Sequence, residues 1–157
     1  MPKNHDITQT RGHVLVLHGP NLNALGNREP GIYGSTTLAE IDAELRLQAK
    51  TLCVELRIVQ SNCEGTLIDT LYENAGWADG VLINPAAYSH TSIALRDALS
   101  AVRGPAVEVH LTNVLAREEF RRTLVTASCC DGVVMGIGAR SYSLGLTALL
   151  ALLNSDV

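Results

Sequence analysis

Gly80-Val-Leu-Ile-Asn-Pro-Ala-Ala-Tyr-Ser-His-Thr-Ser92 carries a short apolar run into an Asn-Pro turn, and an amphipathic stretch over 91–102 follows. A brief apolar run bounded by turn residues reads as a buried strand, and apolar residues at helical spacing read as a helix. The same alternation recurs on both sides of this segment. Strands are predicted over 13–17, 54–60, 80–83, 106–111 and 133–136. Between the first two, Leu38, Ile41, Leu45 and Leu52 fall at helical spacing, and Thr37 followed by Glu40 fits a capping box. Further helices are expected over 66–74, 91–102 and 142–153, with a short piece around Glu118. Buried strands alternating with helices predict an α/β domain: an open five-stranded parallel sheet with helices on both faces. Ligands of such sheets bind outside the carboxyl ends of the strands.

The chain has 157 residues, the size of one domain. Residues 1–11 read as a flexible tail and 12–157 as a single domain. Apolar residues make up 46%, enough for a core, and the formal charge of −4 comes without any run of like charge, so a nucleic-acid partner has no electrostatic footprint. The apolar run 144–153 is far shorter than the roughly 20 residues of a bilayer span, and the polar start over 2–11 lacks the apolar core of a signal peptide. No membrane partner and a cytoplasmic location are expected. Cys53, Cys63, Cys129 and Cys130 form no CxxC pair, so free thiols are expected rather than a zinc site or a disulfide framework. Lysine occurs only at positions 3 and 50, which leaves imine chemistry almost no candidate.

Polar residues gather where the strands end. His18-Gly-Pro-Asn-Leu-Asn23 follows the first strand, Asn84 to Ser92 the third, and Glu108-Val-His-Leu-Thr-Asn113 the fourth, with Arg117 and Arg121 beyond. No Walker lysine, complete dinucleotide fingerprint or GxSxG elbow is present. Glu108 and His110 share one face of a strand, where the carboxylate can orient the imidazole. A solvated strand-end pair is the plainer alternative, and the position in an open sheet favours function. His90 either caps the helix that begins near Thr91 or contacts a ligand, and Asn21 and Asn84 either stabilise loops or face a ligand. The glycine-bracketed stretch 26–34 carries Arg28 and Tyr33 and suits either a lid or an ordinary surface loop. An arginine in contact with a tyrosine favours the phenolate, which makes a usable base.

Taken in order, Gly-Pro-Asn-Leu-Asn at 19–23, Arg-Glu-Pro at 28–30, Ile-Tyr-Gly-Ser-Thr-Thr at 32–37, Gln-Ser-Asn at 60–62, Ile-Asn-Pro-Ala-Ala-Tyr at 83–88, His-Thr-Ser at 90–92, Ala-Leu-Arg-Asp-Ala at 94–98, Glu-Val-His-Leu-Thr-Asn at 108–113 and Ala-Arg-Glu-Glu-Phe-Arg at 116–121 strongly resemble the type II 3-dehydroquinate dehydratases. The resemblance runs over about 13–153. It implies a flavodoxin-like sheet, a homododecamer built as four trimers, no metal and no organic cofactor. It also implies anti elimination of water from 3-dehydroquinate to give 3-dehydroshikimate, a step of the shikimate pathway of aromatic amino acid biosynthesis or of quinate breakdown. The lysine count agrees, because it leaves an enolate route.

Carried over by position, Tyr33 is the implied base with Arg28 beside it, and Asn21 positions a water on the enolate oxygen. His110 is the implied general acid, oriented by Glu108. Asn84, His90 and Arg121 match substrate contacts, Leu111 and Thr112 match a carboxylate clasp, and Asp97 matches a residue that reaches a neighbouring subunit's site. The chain departs from the family pattern at His18, Cys63, Thr112, Leu115, Ser141 and over 122–131. The other reading, from a different class, is a noncatalytic flavodoxin-like small-molecule binding module.

Overall fold

The computed structural model describes residues 11–27 and 29–155. The expected tail over 1–11 lies outside the described residues except for Arg11, whose amide donates to the Cys53 carbonyl at 2.7 Å. The chain runs β1 (Gly12–His18), α1 (Pro30–Tyr33), α2 (Leu38–Leu52), β2 (Val54–Gln60), α3 (Glu64–Glu73), β3 (Gly80–Asn84), α4 (Ile93–Ser100), β4 (Ala106–His110), β5 (Gly132–Met135) and α5 (Arg140–Leu153). All strand pairs are parallel, in the order β2-β1-β3-β4-β5. The expected strands are all present, with ends that move by a residue or so.

Local chemistry sets the helix ends. The capping box read from sequence opens α2: the Thr37 hydroxyl accepts from the Glu40 amide at 3.2 Å and the Glu40 carboxylate from the Thr37 amide at 2.7 Å. The helix expected over 91–102 begins later because Ser92 caps it, its hydroxyl accepting from the Leu95 amide at 2.9 Å. The piece expected around Glu118 is instead two 3-10 turns, Val114–Ala116 and Glu119–Arg121.

Strand alternation divides the core in two. Val14, Val16, Leu82, Val107 and Val109 face one side, where Ile41 and Leu45 of α2 and Tyr142, Leu146 and Leu149 of α5 cover them. Leu15, Leu17, Val81, Ile83 and Ala106 face the other, under Leu67 and Leu71 of α3 and Leu95 and Leu99 of α4. Helices therefore cover both faces, as expected. The outer side of the first layer is also apolar: Leu144 and Leu152 of α5 and Leu47 of α2 are exposed. The four cysteines are free thiols, and no helix among the described residues is long and apolar enough to cross a membrane.

Gly145 lets α5 sit close on the sheet. A Cβ there would stand 2.5 Å from Val109 Cγ1 and 2.9 Å from Leu82 Cδ1, both in the buried layer. Gly145→Ala should therefore destabilise the fold by about 1–3 kcal/mol through overpacking, despite alanine's better helix propensity. A urea midpoint equal to or above that of the parent chain would refute this account of the packing.

Candidate active site

A cleft opens at the carboxyl ends of β1, β3 and β4, where the strand order turns from β1 to β3. The loops after β1 and β3 touch through Gly19, whose amide donates to the Asn84 carbonyl at 2.7 Å. Any Cβ at this position would overlap the Pro85 carbonyl. This backbone contact brings Asn21 and Asn84 to the same opening. Asn21 adopts φ 67°, a left-handed conformation that asparagine tolerates. Its amide donates to Asn62 Oδ1 at 2.9 Å, and the Asn62 carbonyl accepts from the Tyr88 hydroxyl at 2.7 Å. Asn62, to which sequence reading gave no role, thus ties the three loops together. Asn84 ends β3, and its Oδ1 accepts from the Ala86 amide at 3.1 Å.

Glu108 and His110 point to the α3/α4 side of β4. They are not a solvated pair: Glu108 is fully buried and His110 is 5% exposed. His110 Nε2 lies 2.7 Å from Glu108 Oε1, and the other carboxylate oxygen accepts from the Thr126 hydroxyl at 2.7 Å. With the carboxylate fixed on Nε2, the other ring nitrogen is left for the cleft that His110 lines. Burial, followed by the nearby Glu108 carboxylate, pushes the Cys130 thiol well above its ordinary range. Cys130 therefore stays a neutral thiol behind Glu108.

Tyr33 ends the short helix α1 and lines the facing wall. Its hydroxyl accepts from Arg117 Nη1 at 2.9 Å, and the guanidinium carbon lies 5.4 Å from the ring centre. Arg28, the expected partner, lies outside the described residues. The cation placed on the phenol oxygen is Arg117, which sequence reading named in the cluster without assigning it this contact. The pairing spans 84 positions, and the only signal for it is an arginine within Ala-Arg-Glu-Glu-Phe-Arg. Glu118 braces both arginines of that motif, 3.4 Å from Arg117 Nε and 3.1 Å from Arg121 Nε. Its own backbone N–H, and then the two guanidiniums, hold the Glu118 carboxyl below the usual range.

Among the other expected residues, His90, Leu111, Thr112 and Arg121 all line the cleft. His90 does not cap α4, since Ser92 does; its Nδ1 lies 3.0 Å from the Thr123 carbonyl and donates to it. Leu111 falls just after β4 rather than within it, its carbonyl accepting from the Gly138 amide at 2.9 Å. Asp97 stands exposed on α4, paired at 3.1 Å with Arg96, and does not line its own chain's cleft. Among the described residues, no three His, Cys, Asp or Glu side chains are grouped to hold a metal ion. The cleft opposes a tyrosine under a guanidinium to an imidazole backed by a buried carboxylate, with amides between them. That arrangement suits proton removal on one side and proton delivery on the other.

Known proteins share the sequence and the fold of this chain. The family Dehydroquinase class II matches residues 12–150. The 3-dehydroquinate dehydratase of Acaryochloris marina is 55% identical over 141 residues, covering 90% of this chain and 95% of the relative. That of Rhizobium meliloti is 55% identical over 136 residues, covering 87% and 92%. The crystal structure of type II dehydroquinase from Butyrivibrio crossotus superposes with a TM-score of 0.86 at 41% identity, covering 92% of this chain and 98% of that one. By sequence match over most of its length and by the same arrangement of strands, this chain belongs to the class II dehydroquinase family.

Proposed function

We propose that the protein eliminates water from 3-dehydroquinate, anti, to give 3-dehydroshikimate through an enolate. The observation that supports this most directly is the pair of opposed groups in one cleft, Tyr33 under Arg117 and His110 on Glu108. In this reading the Tyr33 phenolate removes a proton alpha to the ketone. Arg117 sets a fixed positive charge on the oxygen that carries the anion, and the family pattern gives Arg28 the same task. The electron pair moves to the ketone oxygen, where a water held by Asn21 donates to the enolate. The enolate then expels the hydroxyl at the beta carbon, and His110 delivers the proton that lets it leave as water. Glu108 stabilises the imidazolium that must precede that transfer and fixes the ring's direction.

Asn84, His90 and Arg121 hold the substrate's polar groups, and the loop at Leu111 and Thr112 clasps its carboxylate. No cofactor enters this sequence of steps, because both protons are carried by side chains. Asp97 lies away from its own cleft, which fits the reading that it serves a neighbouring subunit in a trimer, four of which form a homododecamer. The exposed apolar residues Ile93 on α4, Leu144 on α5 and Leu47 on α2 support such contacts. The reaction belongs to aromatic biosynthesis or quinate breakdown, in the cytoplasm.

Incubation with 3-dehydroquinate should raise the ultraviolet absorbance of a conjugated enone; a flat trace with folded protein would sink the proposal in favour of a binding module. Tyr33→Phe removes one hydroxyl and no core packing, so it should cut kcat by about 10²–10⁴ while a substrate analogue still binds. Near-normal turnover would remove Tyr33 as the base. Arg117→Ala should lose most of the turnover, because it takes away the donor on the Tyr33 oxygen; full activity in that variant would count against the guanidinium.

His110→Ala should still exchange the substrate's alpha proton with solvent without forming product. If exchange and elimination vanish together, His110 mainly positions the substrate. Light scattering joined to the activity assay tests the shared site. A fully active monomer would refute it, and an active trimer would refute only the need for the dodecamer.

A further inference from the structure

Two clusters of buried polar side chains sit at the carboxyl end of the sheet. In one, His18 Nδ1 lies 2.8 Å from the Tyr142 hydroxyl of α5 and Nε2 lies 2.9 Å from Asp42 Oδ1 of α2; none of its members lines the cleft. The other is the Glu108 cluster, which reaches the cleft through His110. Behind Glu108 stands Thr126, itself fully buried, with its hydroxyl 2.7 Å from Glu108 Oε2. A carboxylate only accepts, so the Thr126 O–H donates. The Cys130 thiol stands 4.0 Å from the same oxygen, and a thiol is a weak donor. Among the described residues, Thr126 is thus the strong donor on that oxygen.

The last torsion of a glutamate is soft, so a carboxylate bonded through one oxygen alone can tilt away from its partner. Thr126 and His110 hold different oxygens of Glu108, which keeps Oε1 at 2.7 Å from His110 Nε2. Neither Thr126 nor Glu108 has any exposure, so bulk water does not compete for the bond. The threonine is itself held. The Val125 amide donates to the Ser89 carbonyl at 2.8 Å, the Ser128 hydroxyl to the Val125 carbonyl at 2.7 Å, and the Cys129 thiol to the Thr126 carbonyl at 3.0 Å. Arg96 Nε donates to Ser128 Oγ at 3.2 Å and ties this turn to α4.

We propose that Thr126 is a positioning residue for the elimination step: its hydrogen bond locks Glu108 onto His110 Nε2 and so keeps Nδ1 turned to the cleft for proton delivery. The proposal rests on the reading of His110 as the general acid. Thr126 does not line the cleft, and it has no part in holding Tyr33, whose hydroxyl is bonded by Arg117. Its loss should therefore slow proton delivery to the departing hydroxyl while proton removal at the opposite wall continues.

The test is Thr126→Val, which keeps the shape of the side chain and deletes the donor. Enone formation and solvent exchange of the substrate's alpha proton are measured together, with a thermal midpoint for each variant. For elimination, kcat should fall about 10- to 100-fold, the scale of one hydrogen bond to a charged group, with KM within about twofold. The ratio of exchange to elimination should rise at least about 10-fold. Thr126→Ser restores the hydroxyl and should bring kcat to within about threefold of the parent chain. In a Glu108→Gln background Thr126→Val should lower kcat no further, since the group it acts through has lost its charge. A joint fall of exchange and elimination, as a general loosening of the fold produces, overturns the proposal. So does a Thr126→Val enzyme with the parent kcat, or a Thr126→Ser enzyme as slow as Thr126→Val. Should Thr126→Val fail to fold, Thr126→Cys places a weaker donor at the same point and should raise the same ratio; an unchanged ratio there overturns the proposal too. An inactive parent chain sinks the functional reading itself, whereas an active parent with no change in Thr126→Val sinks only the role of Thr126.

Discussion

A carboxylate with no exposure to solvent governs this molecule. Burying an isolated carboxylate costs several kcal/mol even after relaxation, so Glu108 can be kept charged inside the domain only with its oxygens occupied. His110 takes one oxygen and Thr126 the other. Thr126 belongs to an irregular segment that is fastened along its length. Val125 donates to the Ser89 carbonyl at 2.8 Å, and Asp131 exchanges two bonds with Ala106, at 2.7 and 2.8 Å. The Thr123 carbonyl from the same segment takes His90. A segment with little regular structure thus orients both cleft histidines, one directly and one through Glu108.

Strand alternation explains why there are two buried polar groups and why they do not interfere. On β4 the residues facing α3 and α4 are Ala106, Glu108 and His110, while Val107 and Val109 face α5. On β1 and β3 the polar ends His18 and Asn84 fall on the α2 and α5 side, behind Val14, Val16 and Leu82. One sheet end therefore carries a carboxylate-imidazole pair on one face and a phenol-imidazole-carboxylate chain on the other. The first of these reaches the cleft through His110. Tyrosines take different parts accordingly: Tyr142 is sealed and keeps its proton, whereas Tyr33 lies at the cleft wall under a cation.

What sequence discloses here is what repeats locally. Period and turn chemistry locate β2 at its observed bounds and the Thr37–Glu40 box at the start of α2, because both depend on neighbours a few positions apart. The face shared by Glu108 and His110 is legible for the same reason, although its burial is not, since the cover comes from Thr126, 18 positions away. Ends set by distant partners are less legible. β4 stops before Leu111 because that carbonyl turns to Gly138, and α4 starts after His90 because Ser92 competes for the cap. Contacts between loops leave no periodic trace: Arg117 finds Tyr33 across 84 positions, and His18 finds Asp42 and Tyr142 across 24 and 124. Only the fold identifies these partners.

Tyr33 shows how far the site depends on such distant partners. It closes a four-residue helix whose first turn bonds to the Glu29 carbonyl, at 2.9 Å from Ile32 and 3.1 Å from Tyr33. A helix that short has no stability of its own in water. Its place is set by packing of the Tyr33 ring against the α2/α5 layer and by the Arg117 bond to its hydroxyl. Arg117 in turn shares Glu118 with Arg121, so the group read as the base and a group read as a substrate contact are braced by one carboxylate. The own-backbone bond that keeps Glu118 ionised below the usual carboxylate range also preserves that brace in mildly acidic solution. The tyrosine is therefore placed less by the short helix that carries it than by the opposite wall of the cleft.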